Sequence, residues 1–481
     1  AALAAAGMAT LDAPGRIDAI IAPGSVDELR TCLAIATRYR VPVYPVSAGR
    51  NWGFGSKLPP CGHCVLLELR RLNDIVYFDE ELAIIAIQPG VTFRQIAAFL
   101  AKRRSKLFMP VIGGSPDASV IGNAVERGSG IGPSAERANA ISGLEILTPN
   151  GHTLRTGFTR FEHARTARLA RHGVGPALDG LFLQSNLGVV TELSYWLTAR
   201  PEILSLYQGQ APDIHTLGKA IDALRPLILS GAIGPCAITF WNIFKLRARQ
   251  FQYSPLHAIA DPAWFASVAL YSSSISAAAT ATSAIRACLD GILTDGTVRC
   301  IDQTAMTEQE AMFVGVPNAG NVGSTYWRKN MAVPPNADPD RDRCGLIWLC
   351  PTLPFLAPDC AAAIGMIEST FARYDFEPNI GFNVLNARTL DFFVVIAYDR
   401  DVAGDDERAM ACHDELLENL IAHGYLPSRL GIHSMASLPG TNDDSNAFLD
   451  AIKQIADPAN ILSPGRYSTR GLCQPCSASI F

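Results

Sequence analysis

No stretch of this chain stays apolar for the roughly 18 residues that a membrane-spanning helix requires, so the sequence predicts no membrane span. Basic runs are also missing, and 40 Lys and Arg against 45 Asp and Glu leave a formal charge of −5. That balance argues against nucleic acid as a partner. The apolar start, Ala1-Ala2-Leu3-Ala4-Ala5-Ala6-Gly7-Met8, carries no positive charge ahead of it and makes a poor secretory signal. No internal repeat stands out. Two phosphate-binding signatures are absent. A Walker loop ends in Gly-Lys-Ser/Thr, whereas Gly55-Ser56-Lys57 has the wrong order. A Rossmann fingerprint opens a helix, and residues 51–60 have no helical period. Cysteine, by contrast, is not scarce. Twelve are scattered through 481 residues, whereas disulfide-dense scaffolds are small. Buried free thiols in a cytoplasmic protein are therefore expected. Two CxxC pairs, Cys61/Cys64 and Cys473/Cys476, have the spacing of redox or zinc sites. The first leads into a strand instead of a helix, and the two lie near opposite ends of the chain, so no metal site is expected.

What is present is a large apolar fraction, 48%, in a chain long enough for two or three domains. Residues 12–200 mix βα units with hairpins, an α+β pattern. A helix is predicted over 25–38, with Ser25 as N-cap and Val26, Leu29, Leu33 and Ile35 at helical spacing. A strand is predicted over 41–46, whose two prolines place it at a sheet edge. Further strands are predicted over 65–69, 82–87, 141–147 and 189–197, and a helix over 92–103. After Pro201 the texture changes. Residues 315–345, rich in Pro, Asn, Gly and Asp, read as a long surface loop of the kind that is often functional. Beyond it a strand-helix-strand-strand-helix order over 346–422 is ferredoxin-like.

The central motif is Ser47-Ala48-Gly49-Arg50-Asn51-Trp52-Gly53-Phe54-Gly55, a glycine-rich loop directly after the 41–46 strand. Such loops bring backbone N–H groups to an anion. Four further glycine-bearing or turn segments follow in order: Gln88-Pro89-Gly90-Val91-Thr92, Val120-Ile121-Gly122-Asn123-Ala124, Gln184-Ser185-Asn186-Leu187-Gly188-Val189-Val190, and Ile461-Leu462-Ser463-Pro464-Gly465-Arg466-Tyr467. Together and in this order they resemble the vanillyl-alcohol oxidase and p-cresol methylhydroxylase family of FAD-dependent oxidoreductases. The resemblance is close over 40–200 and looser over 346–467; it does not reach 201–345.

The resemblance implies an α+β, two-domain flavoprotein. An FAD-binding α+β domain would comprise residues 1–200 plus a C-terminal return over 446–481, and a ferredoxin-like α+β cap would span 201–445. Ser47 to Phe54 would wrap the FAD pyrophosphate. Gly113, Gly114, Ser119, Gly122 and Asn123 would line flavin and phosphates, and Gly188, Val189 and Val190 would contact the adenosine or ring side. Arg466 would lie near the flavin pyrimidine, where reduction leaves negative charge.

Departures from the family pattern shape the expected chemistry. Members that tether FAD use a histidine or tyrosine on a cap strand, where this chain has Asp391 or Phe392. Others use a histidine in the first loop, where Arg50 stands. Non-covalent FAD is expected, with an ester through Asp391 as the exception. The phenol-binding tyrosines correspond to Phe54 and Ser428, while the accompanying arginine is retained as Arg429. One guanidinium still binds an anion, so the substrate is expected to be a small molecule with an anionic group admitted. An aspartate that works beside the flavin in some members corresponds to Gly114, with Asp117 three residues on. Asp117, His433 and Glu377 are the candidate bases, and Arg429 the candidate anchor. The expected activity is hydride transfer from an alcohol, amine or benzylic C–H to flavin, with reoxidation by oxygen or another acceptor. A 4-alkylphenol oxidase or hydroxylase, an electron relay to a protein partner and a flavin-binding protein without catalysis are the alternatives. Self-association stays open.

Overall fold

The computed structural model describes residues 2–467 apart from 61, 134–135, 251–252, 254–263 and 330. Cys61, Cys473 and Cys476 of the CxxC pairs lie outside these. The chain opens with a three-stranded parallel sheet ordered Arg16–Ile21, His63–Glu68, Val43–Val46. Helix Val26–Tyr39 packs beside it. Ser25 caps this helix by accepting from the Glu28 amide at 3.1 Å, and Leu29, Leu33 and Ala36 are buried. Ile35, counted with the apolar face, is 54% exposed. Strand Val43–Val46 takes the edge its prolines demand, and the end of the chain returns to cover it. The Val43 amide donates to the Ile461 carbonyl, and the Ser463 amide to the Val43 carbonyl, both at 2.8 Å.

An antiparallel five-stranded sheet follows, ordered Ile75–Asp79, Ile84–Ile87, Val189–Trp196, Ile141–Leu147, Thr153–Arg155. Helix Phe93–Lys102 packs its buried Phe93, Ile96 and Leu100 into the same core. A reciprocal capping box between Thr92 and Gln95 starts that helix.

The larger sheet has eight strands and an internal symmetry that no sequence repeat announces. Strands Ile203–Ala211, Cys236–Asn242, Trp264–Ser272 and Thr294–Cys300, with helices Ile214–Leu229 and Ile275–Leu289, form one βαββαβ unit. Strands Cys344–Pro354, Asn379–Asn386, Thr389–Asp399 and Pro427–Arg429, with helices Ala357–Arg373 and Asp405–Ala422, form a second. In each unit the fourth, first, third and second strands lie side by side, the ferredoxin-like order. The units join antiparallel through their second strands, with Thr239 opposite Asn383 and Trp241 opposite Gly381. One core face of this seam is a stack of buried Phe240, Phe382 and Phe392, with ring centroids 4.9 and 4.5 Å apart.

Two segments tie this sheet to the first glycine loop. Thr10 accepts the Gly53 amide on its hydroxyl at 2.8 Å, and its carbonyl accepts the Leu346 amide at 2.8 Å. The 315–345 segment is more than a surface loop: Tyr326 and Trp327 are buried, and Asp338 and Asp340 reach the glycine loop. No described helix is long and apolar enough to cross a membrane.

Candidate active site

A single cavity of about 940 Å³ runs between the two smaller sheets and the eight-stranded sheet. Its volume suits a large organic ligand. One side is built from loops. Ser47 to Trp52, Phe54, Gly113, Gly114, Ser119, Gly122, Asn123, Gly188, Val189, Val190 and Arg466 all line it. The amides of Ala48, Gly49, Arg50 and Asn51 donate to no partner among the described residues. Four free N–H groups in a row, one of them on Gly49 at φ +67°, make an anion cradle. Ser119 caps helix Val120–Val125 through the Gly122 amide at 2.9 Å, and that holds Gly122 and Asn123 at the wall. Gly53 faces away. Its amide is taken by Thr10, its carbonyl by Trp348, and a Cβ there would fall 2.0 Å from the Trp348 ring. This glycine serves the approach of the large sheet rather than the cavity.

Clamps from the 315–345 segment hold the loop. Arg50 pairs with Asp338 at 3.1 Å. Asp340 accepts from Trp52 Nε1 at 3.1 Å and from Ser56 Oγ at 2.6 Å. Burial pushes the Asp340 carboxyl up to about 7, despite those two donors.

The opposite side is built from side chains. Phe54 stacks near Trp348 with ring planes 11° apart, and Trp241 and Phe393 extend the aromatic surface. Arg429 lies over the Phe54 ring at 4.2 Å and donates to Asn51 Oδ1 at 2.6 Å. Its Nε is 3.7 Å from Glu126, and burial lowers its pKa from the usual arginine value. Arg466 pairs with the same Glu126 and donates to the Tyr44 hydroxyl at 3.2 Å. Two cationic residues thus converge on one half-buried carboxylate at the cavity wall. Of the other carboxylates lining the cavity, Glu310 is held by Arg299 at 2.9 Å. Among the described residues Asp391 has only hydroxyl partners, with Ser428 Oγ donating at 3.0 Å. Burial raises the Asp391 carboxyl to about 6. Ser428, one of the two positions where the family pattern has tyrosine, is what reaches it.

Three of the candidate bases are placed elsewhere. Asp117 forms a two-pronged pair with Arg94 on an exposed surface. Glu377 is bound by Arg328 at 2.6 Å, away from the cavity lining. His433 is half-buried against the buried His413, with ring nitrogens 3.3 Å apart, and desolvation drives its pKa well down. Arg429 is the candidate that does line the cavity. The sequence marks Asp391 as a tether position only, and carries no motif that singles out Lys245, Arg249 or Glu126. Lys245 and Arg249 sit four residues apart on helix Ile243–Arg249. That spacing was legible, but it equally describes a solvated face.

A family model described as an FAD binding domain matches residues 17–157. The chain is 38% identical to 1'-carboxy-chondrochloren decarboxylase of Chondromyces crocatus, over 98% of this chain and 94% of that one. It is 26% identical to the flavoprotein subunit of 4-cresol dehydrogenase (hydroxylating) of Pseudomonas putida, over 93% and 87% of the two chains. The chain belongs to the p-cresol methylhydroxylase-type family of FAD-dependent oxidoreductases. The crystal structure of p-cresol methylhydroxylase with substrate bound superposes with a TM-score of 0.86 at 23% identity, covering 97% of this chain and 92% of the other, which shows that the fold is shared. FAD is the cofactor of this enzyme, and the row of free amides and the size of the cavity fit it.

Proposed function

We propose that this oxidoreductase removes hydride from an alcohol, amine or benzylic carbon of a small planar substrate laid against Phe54, Trp348 and Phe393. Residues 1–200 and 446–481 hold the cofactor in this reading, and 201–445 hold the substrate. Bound FAD supplies the two-electron acceptor. Arg429 stabilises negative charge on substrate or cofactor. Asp391 takes the substrate proton, because it is the cavity carboxylate not already held by a guanidinium. The observation that carries the reading is the single cavity joining the amide cradle to the aromatic, cationic wall. Reduction is tested directly: a yellow preparation should bleach when mixed anaerobically with a substrate from a panel of aromatic alcohols, amines and alkyl-aromatic acids. A colourless protein that takes up no FAD sinks the reading.

FAD is held without a covalent bond in this proposal, since neither histidine nor tyrosine stands at the tether positions. Acid precipitation should send the flavin to the supernatant. Flavin that stays in the pellet of wild type, but leaves that of Asp391→Asn, establishes the ester instead. Reduced FAD passes its electrons to oxygen or to a partner protein, the latter in keeping with a relative named as a flavoprotein subunit. The described free cysteines fit a cytoplasmic setting.

A second reading comes from the name of the Chondromyces crocatus relative: oxidation coupled to loss of a carboxyl group. The excess of cations over carboxylates in the cavity favours it. In that version hydride leaves the carbon β to a carboxylate, the bond to the carboxyl carbon breaks, and its electron pair closes the alkene as CO2 departs. Release of one CO2 per flavin reduced separates this from simple oxidation.

A further inference from the structure

Lys245 and Arg249 are lodged in the cavity wall on successive turns of helix Ile243–Arg249, directly after the strand that forms the seam of the eight-stranded sheet. Among the described residues neither has a carboxylate partner. Lys245 Nζ lies over the Trp348 ring at 4.7 Å and the Phe393 ring at 5.1 Å. The Arg249 guanidinium lies over the Trp241 ring at 5.0 Å. Aromatic faces attract cations but do not neutralise them. The group nearest in charge to Lys245 is the Cys350 thiol, which burial raises to about 12 and so keeps neutral. Burial also lowers Lys245 to about 7 and Arg249 to about 10. Two cations one helical turn apart repel each other, and each gives up water without gaining an anion from the described residues. Every other arginine of the wall described above has an acidic or amide partner.

We propose that Lys245 and Arg249 form the receptor for a carboxylate carried by the substrate, which makes the substrate class an aromatic or similarly planar carboxylic acid. An ammonium and a guanidinium on adjacent turns offer charge-assisted donors to two oxygens. The rings of Trp241, Trp348 and Phe393 flank the same spot and accept the planar body of the ligand. These apolar walls favour a singly charged carboxylate over a strongly hydrated phosphate. The arriving carboxylate supplies the counter-ion that the pair lacks. This inference rests on the reading of the cavity as the site of oxidation, and binding can be measured apart from turnover.

The test is a titration of the FAD-loaded enzyme, followed by perturbation of the flavin spectrum. The probes are phenylacetate and cinnamate, the matching amides, and phenyl phosphate. Both acids should bind, with the amides weaker by about tenfold or more. Lys245→Met and Arg249→Gln should each lose about tenfold for the acids and remove the preference over amides. Lys245→Arg should recover most of that loss, which a merely structural role would not explain. FAD content should be unchanged in all three variants. Acids that fail to bind, amides that bind as well as acids, a tighter phenyl phosphate, or variants that bind acids like wild type would each overturn the assignment. Variants that shed FAD would also overturn it, by showing that the pair serves the cofactor. Bleaching of wild type by neutral substrates alongside a failed titration would leave the oxidative reading standing and remove only the receptor.

Discussion

The two walls of the cavity are built on different principles. The wall proposed for the cofactor relies on backbone: free amides at residues 48–51, a glycine at positive φ, and a capped short helix that presents Gly122 and Asn123. The wall proposed for the substrate relies on side chains carried by strands and a helix far apart in sequence: Lys245, Trp348, Asp391 and Arg429. A backbone cradle binds any ligand with the right phosphates and leaves little room for variation. A side-chain wall leaves the fold unaltered when its residues change, and in the proposed function it is where substrate choice resides.

That contrast can be broken or sharpened by substitution. Asp391→Asn is expected to have the largest effect. It should retain FAD while turnover falls by about a hundredfold to ten-thousandfold, the range of a lost general base. A base with a pKa near 6 is ionised above it, so wild-type kcat/KM should rise with pH through about 6 and the variant should lose that limb. Retained activity with an unchanged pH profile would return Asp391 to a structural part. Arg429→Ala comes next, with kcat/KM lowered by about 1.5–3 kcal/mol, the scale of a charge-assisted hydrogen bond. Steady-state kinetics check it, and no change would remove Arg429 from the site. Gly49→Val should do the reverse and weaken FAD binding by about tenfold or more. The added side chain would meet Lys57 at 2.4 Å, on a backbone that disfavours any side chain. Normal FAD content would show that the cradle is not where the cofactor's charge sits.

The smallest effect is expected at the clamp between the walls. Folding raises the Asp340 pKa from its ordinary 3.8 to about 7. Between those values the folded protein holds more protons than the unfolded chain, so this group's contribution to stability falls as pH rises from about 4 to about 7. Melting curves across that window should slope less in Asp340→Asn than in wild type. Parallel curves would show that the carboxyl is not desolvated.

The same contrast governs what was legible in the sequence. Glycine loops follow strands at short range, and their order along the chain carried the family and the cofactor. Helix starts at Ser25 and Thr92 and the edge strand at Val43–Val46 were also readable, because caps and prolines act locally. The doubled βαββαβ architecture was not, since two ferredoxin-like units share a geometry without sharing residues. The resemblance did not reach the first unit, 203–300, although its Ile275–Leu289 helix has a local Ala- and Ser-rich pattern. Asp117, Glu377 and His433 carry the right functional groups for a base, yet Arg94, Arg328 and His413 engage them at sites only the folded chain brings together. The acidic 338–342 segment read as solvated, and its contacts with Arg50, Trp52 and Ser56 span almost 300 residues. Nothing local sets Lys245 apart from a surface lysine, because its helix follows a seam that only the folded chain forms.

The most direct test is anaerobic reduction of the bound flavin, compared between wild type and Asp391→Asn at matched FAD content. Wild type should bleach with a substrate of the panel, and the variant should keep its yellow colour and bleach at least about a hundredfold more slowly. Equal rates of bleaching, or a variant that has lost its flavin, would contradict the division of the cavity into a backbone cradle for FAD and a side-chain wall for catalysis.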